Sequence, residues 1–138
     1  MILPEPSDAT RPFWDAAVQK RLLLRHCPRC GSWLHPQLLF CGCGEWRLEW
    51  REASGEARLL SHTVARRMPV PALQGEVPFT VLLVRTREGP QLVSSLPGDG
   101  HALRCGMPMR VAFDPPVEGV ALVRFIPAER VGTGDGMR

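Results

Sequence analysis

The 138-residue chain is 44% hydrophobic and 22% charged, ordinary for a globular protein and enough for one compact domain or two small modules sharing an interface. No apolar run approaches the roughly 20 residues that cross a bilayer, and Met1–Pro6 has neither a basic start nor an apolar stretch, so no membrane span and no secretory leader are expected. The net charge of +3 is too small to imply a nucleic-acid partner by itself, and the expected compartment is the cytoplasm.

Residues 1–9 are proline-rich and polar and read as a flexible tail. Residues 10–24 read as a helix and a lead strand. Thr10 or Asp8 would cap the helix, Pro12 sits in its first turn, and Asp15 would complement its dipole. Phe13, Trp14, Ala17, Val18, Arg21 and Leu22 recur at the spacing of one helical face. Two large aromatics on so short a helix serve either the core or the docking of another chain, with Phe13, Trp14 and Val18 as candidate interface residues.

Residues 25–46 form the second unit. In a reducing cytoplasm disulfides are not expected, so clustered cysteines point to metal or redox chemistry. Four of the five cysteines fall within seventeen residues: Cys27-Pro28-Arg29-Cys30-Gly31, then Cys41-Gly42-Cys43-Gly44. A Cys-x-x-Cys turn followed by glycine aims two sulfurs at one ion, and four thiolates complete the tetrahedral shell of a structural zinc. The second pair has one intervening residue rather than two, which leaves open that His26 or His35 completes the shell. A filled thiolate shell keeps no position for substrate, so the reading is a structural zinc ribbon with Cys27, Cys30, Cys41 and Cys43 as ligands. A thioredoxin-type dithiol would need neither the second pair nor this setting. Cys105, alone in sequence, reads as a small core residue.

Residues 47–127 turn to β patterning. Candidate strands are 46–52, 57–67, 79–87, 91–95, 109–113 and 121–125, separated by Gly and Pro turns, which suggests a closed or nearly closed barrel. The stretch 68–78 holds Pro69, Pro71 and Pro78 and reads as a long loop. Residues 128–138 read as a second flexible tail. The overall class is mainly β with a short N-terminal helix.

Charge is unevenly placed. Residues 11–67 carry ten bases against five acids, +5, leaving −2 elsewhere, and sixteen of the seventeen bases are arginine. The guanidinium fork suits phosphate or carboxylate, so a phosphorylated ligand or an acidic protein surface would fit the first half, a solvated basic face being the alternative. There is no glycine-rich loop ahead of a helix, no Gly-x-Ser-x-Gly, no His-Glu-x-x-His and no tyrosine, and His62 and His101 are isolated. Nothing in the sequence assembles a nucleophile, a base and an orienting group.

The order of parts resembles a known family. The likeness rests on Pro12-Phe13-Trp14-Asp15, Leu22 through Gly31, Leu48-Glu49-Trp50, Gly55-Glu56-Ala57, Ser61-His62-Thr63-Val64, Pro78 through Val84, Gly89-Pro90-Gln91-Leu92 and Gly106 through Val111. This ordered set is similar to the acyl-CoA-associated proteins known as domain-of-unknown-function 35. The resemblance implies a rubredoxin-like zinc ribbon followed by a five-stranded OB-fold barrel. It also implies a non-catalytic accessory subunit that stabilises a thiolase-like partner, thiolase or retro-aldolase, as a heterotetramer around the partner's dimer. The two would share a site for acyl-CoA, and Arg66 and Arg67 are candidates to contact its phosphates. A single-stranded nucleic-acid module is the alternative, since ribbons and OB-folds also serve that purpose. It lacks support because the barrel after Trp50 has only Phe79, Phe113 and Phe125 as aromatics and is not basic.

Overall fold

The computed structural model describes residues 4–67, 69 and 71–128; residues 129–138 of the expected tail, Met1–Leu3, and Met68 and Val70 of the proline-rich loop lie outside it. The helix α1 spans Arg11–Val18, with Pro12 in its first turn and Thr10 at its N-cap. Thr10 makes no side-chain cap, and Asp15 falls beyond the first turn, so both expected helix-end devices are absent. The Thr10 hydroxyl instead accepts the Ser7 N–H at 3.1 Å and meets the Ser7 hydroxyl at 2.9 Å. Ala16 and Ala17 form the buried face, while Phe13, Trp14 and Val18 are half-buried. Lys20, at φ 62°, turns the chain out of the helix, so Arg21 and Leu22 continue into the next strand rather than along the helical face.

Two antiparallel sheets follow. β1 (Leu23–His26), β2 (Trp33–Leu34) and β3 (Glu49–Glu52) form a ribbon in the order β2-β1-β3. β4 (Glu56–Ala65), β5 (Phe79–Thr86), β6 (Gln91–Pro97), β7 (Pro108–Phe113) and β8 (Val123–Pro127) form the second sheet, in the order β6-β5-β4-β7-β8. The strand expected at 46–52 is shorter and belongs to the ribbon: Glu49–Glu52 pairs with the whole of β1, Leu23 opposite Glu52 and His26 opposite Glu49. β2, two residues long, lies in what reads as loop. The 68–78 stretch holds a 3-10 helix, Pro71–Glu76, as proline permits at a helix start.

Side-chain alternation explains how the five strands close. Thr80, Leu82, Val84 and Thr86 on β5, Ala57 and Leu59 on β4, Met109 on β7 and Phe125 on β8 all point inward. Phe125, Leu59, Leu82 and Val84 are fully buried, each side chain contributing about 1.5–3 kcal/mol of hydrophobic stabilisation. Leu22 and Leu24 of the ribbon join this same core, so ribbon and barrel share one hydrophobic interior. β6 and β8, the ends of the sheet, meet through side chains. Ser94 Oγ donates to Val123 O at 3.1 Å, and Arg124 Nη1 donates to Ser95 O at 3.0 Å and Ser95 Oγ at 2.6 Å. The other side of the Arg124 guanidinium is held by Asp114, at 2.9 and 3.1 Å.

Gly55 marks the closest approach between linker and barrel. Its φ is 87°, its carbonyl accepts the Val111 N–H at 2.8 Å, and a Cβ placed there would lie 2.6 Å from Val111 Cγ1. Gly55→Ala is expected to destabilise the protein by about 2–5 kcal/mol, combining left-handed strain with overpacking. Gly98→Ala, at φ 91° with nothing within 4 Å, should lose only the first contribution. Equal denaturation midpoints for the two variants would show that Val111 does not set this constraint.

Candidate metal centre and surrounding surfaces

Two glycine-punctuated turns present the thiols. In the first, Cys27 N–H donates to Ser32 O at 2.8 Å and Gly31 N–H to Cys27 O at 2.9 Å, with Gly31 at φ 80°. In the second, Cys41 N–H donates to Glu45 O at 2.8 Å and Gly44 N–H to Cys41 O at 2.9 Å, with Gly44 at φ 98°. The second turn is the first with one residue removed, its closing hydrogen bonds each spanning one residue less. This is how Cys-Gly-Cys occupies the place of Cys-x-x-Cys.

The turns bring Cys27, Cys30, Cys41 and Cys43 together with all four Sγ atoms within 4.8 Å of one another. Cys27 Sγ lies 3.7 Å from Cys43 Sγ, and Cys30 Sγ 3.5 Å from Cys41 Sγ. Zinc–thiolate bonds of about 2.3 Å in a tetrahedron require sulfur separations of about 3.8 Å, so the donor set fits that ion. The Cys30 N–H points at Cys27 Sγ, 3.4 Å away, the kind of dipole that supports a ligated thiolate. Ser32, through its hydroxyl and then its main chain, holds the Cys30 thiol down at about 6. Cys41 gains from the Cys43 backbone, yet its hydrogen bond to Cys30 and desolvation push it up to about 11. Four adjacent thiolates repel one another, and a bound cation lets all four ionise together.

The histidines considered as substitutes are engaged elsewhere. His26 Nδ1 lies 2.6 Å from Glu49 Oε2, and its ring meets Trp33 edge-on at 5.2 Å. His35 Nδ1 accepts the Gln37 N–H at 3.0 Å, and burial lowers its pKa. Arg25 is buried at the root of the ribbon. It donates to Pro36 O at 2.8 Å and Ala9 O at 2.6 Å, and its guanidinium sits 4.3 Å over the Trp50 ring. The N-terminal segment, read as a flexible tail, is thereby tied to the ribbon at Ala9.

The aromatic helix face is not the most exposed apolar surface. Phe13 and Trp14 meet edge to face at 5.0 Å and line a groove of about 560 Å³ between α1 and the barrel, where Val93, Val123 and Arg124 form the far wall. Val18 is half-buried and is not among the lining residues. Leu39, Phe40 and Trp46, flanking the second turn, are 60%, 66% and 71% exposed. Sequence reading passed over them, although the run Leu38-Leu39-Phe40 directly before a metal turn has little room to be buried. Cys105 corrects another expectation: it is exposed, in the segment between β6 and β7, rather than in the core. Arg66 and Arg67 are exposed just past the end of β4. In the barrel Phe125 is buried and Phe79 and Phe113 are half-buried, so these rings present no open row for stacking bases.

A four-cysteine ribbon fused through a shared core to a five-stranded Greek-key barrel defines a zinc-ribbon and OB-fold protein. Residues 50–114 match the ChsH2 C-terminal OB-fold domain. The chain aligns with a chain of the solved Ltp2-ChsH2(DUF35) aldolase at a TM-score of 0.79 and 31% identity, over 92% of this chain and 100% of that one. It belongs to the ChsH2/DUF35 family. A DUF35 protein of unknown function from Sulfolobus solfataricus shares the fold at a TM-score of 0.57 and 17% identity, over 77% of this chain and 78% of the other. A probable enoyl-CoA hydratase alpha subunit from Thermomonospora curvata is 36% identical over 110 residues, 77% of this chain. The chain spans 34% of that relative's length.

Proposed function

We propose that this chain is a non-catalytic accessory subunit that binds a thiolase-like enzyme acting on CoA esters, stabilises it and helps to form its acyl-CoA site. The alignment with the whole of a chain from the Ltp2-ChsH2(DUF35) aldolase carries this reading. The cysteine cluster agrees with it, since four converging thiols have the form of a closed structural site. One zinc bound by Cys27, Cys30, Cys41 and Cys43 braces the ribbon, a state suited to the reducing cytoplasm.

The partner's contact surface combines the helix face of Phe13, Trp14 and Val18 with the ribbon tip carrying Leu39, Phe40 and Trp46. Exposed apolar patches of this kind are the usual sign of a protein interface. Arg66 and Arg67, exposed past the end of β4, meet the phosphates of the CoA ester. The assembly is a heterotetramer, two accessory chains around a partner dimer.

Co-expression with a thiolase-fold protein of the source organism should give one co-eluting species in size-exclusion chromatography. The Phe40→Asp/Trp46→Asp variant should weaken that complex by about a hundredfold or more, as expected for truncating two central anchors, while keeping its zinc. Separate elution of the unaltered chains, or thioester turnover by this chain alone, would refute the proposal.

A further inference from the structure

The outer face of β4, β5 and β7 carries charge that the fold does not neutralise. Glu56 and Arg58 on β4, Arg85 on β5, Arg87 just past its end, and Arg110 on β7 are all exposed, in alternation with buried Ala57, Leu59, Val84, Thr86 and Met109. Strand register brings them together. Arg58 lies directly opposite Arg85, and Arg110 opposite Glu56. Directly opposed like charges destabilise a sheet pair, so the fold carries this Arg58–Arg85 juxtaposition at some loss of stability.

Partners are unevenly distributed across the group. Arg87 forms an ion pair with Glu56 at 3.1 Å, and Arg58 donates to Gly106 O at 2.9 Å. Arg85 and Arg110 have no hydrogen-bond or ionic partner among the described residues. Four arginines and one glutamate leave a local charge of +3 (4 − 1). The face is concave: these side chains, with Leu60, Pro108 and Ala128, line a depression of about 770 Å³. That size is typical of small-molecule sites, which run from about 300 to 1,000 Å³.

We propose that this depression is a binding site for a multiply charged phosphate ester, held by Arg85 and Arg110 with Arg58 on the strand between them. Planar guanidinium forks, here lining one depression from β5, β4 and β7, match phosphate oxygens two at a time. Leu60, Pro108 and Ala128 supply apolar surface for the organic part of the ester. Concavity favours a small anion over the acidic surface of another protein. The site is separate from Arg66 and Arg67, which lie past the far end of β4, and it does not depend on the partner assignment.

Isothermal titration of the zinc-loaded full chain with inorganic pyrophosphate tests it, with sodium sulfate at equal ionic strength as the control. Saturable binding in the sub-millimolar range is expected for pyrophosphate. Arg85→Gln/Arg110→Gln should weaken it by about tenfold or more, as loss of two charge-assisted contacts requires. Arg66→Gln/Arg67→Gln should leave it unchanged. All these side chains are exposed, and circular dichroism checks that each variant is folded. No saturation at millimolar pyrophosphate, equal affinity for sulfate, or equal weakening by both double variants would overturn the proposal. So would a loss of partner binding in Arg85→Gln/Arg110→Gln without any pyrophosphate affinity in the unaltered chain, which would make the face a protein contact instead.

Discussion

Replacing Cys27 and Cys30 by serine should abolish metal binding and unfold the ribbon. The unaltered chain should hold one zinc per molecule, measurable by elemental analysis, and the double variant essentially none. Structural zinc in small Cys-rich modules contributes about 10–16 kcal/mol of apparent binding free energy, as much as or more than the 5–15 kcal/mol that holds a whole domain folded. The ribbon has little else to rely on. β2 is two residues long, and Cys30, Cys43 and the tip residues Leu39, Phe40 and Trp46 are exposed. Because Leu22 and Leu24 belong to the barrel's core, loss of the ribbon should loosen the barrel as well. A broadened, lower thermal transition in circular dichroism is therefore expected, rather than loss of one unit alone. Ligation needs thiolates, so acidification should release the metal and the stability it supplies should fall with pH. A double variant that keeps full zinc content, or melts like the unaltered protein, would show that the cluster does not brace the fold.

Arg25→Met should lower stability by about 3–5 kcal/mol, the second-largest effect expected here. Methionine preserves much of the side chain's bulk and removes only the guanidinium. Hydrogen bonds to a charged group are worth about 1.5–3 kcal/mol each, and an orphaned buried carbonyl adds its own desolvation penalty. Arg25 makes two such bonds, to Pro36 O and Ala9 O, and stacks over Trp50, so one residue links β1, β3, the loop after β2 and the segment before α1. Denaturant titration gives the loss directly. Amide exchange should show the segment before α1 opening first, because this guanidinium holds it to the ribbon at Ala9. A loss below about 1 kcal/mol would mean that water substitutes for the guanidinium at both carbonyls.

What was legible in the sequence was local. Two cysteine pairs, each followed by glycine, define their own turns, and strands such as Phe79–Thr86 announce themselves by β-rich runs between turn residues. Features set by distant pairing were not legible. The 46–52 stretch reads as β either way, and only its register with Leu23–His26 places Glu49–Glu52 in the ribbon. The arginines that sequence brings together, Arg66 and Arg67, stand exposed past a strand end, whereas Arg58, Arg85 and Arg110 converge only because β4 pairs with both β5 and β7. Cys105 was misjudged because a thiol's apolar character says nothing about whether its segment reaches the interior, and this one lies on an exposed turn. The N-cap failed for a related reason: Thr10 has the right chemistry, but Ser7 lies close enough to engage its hydroxyl first.

The way β6 meets β8 has a consequence for behaviour at high concentration. No backbone ladder joins these two strands, so their outward amide and carbonyl groups would form a receptive rim for a strand from another molecule. Ser94 and Arg124 cover that rim with a hydroxyl and a guanidinium, and Asp114 keeps the latter from swinging into solvent. A folded protein with that guard removed would be expected to stick to itself, and to do so before it loses its shape.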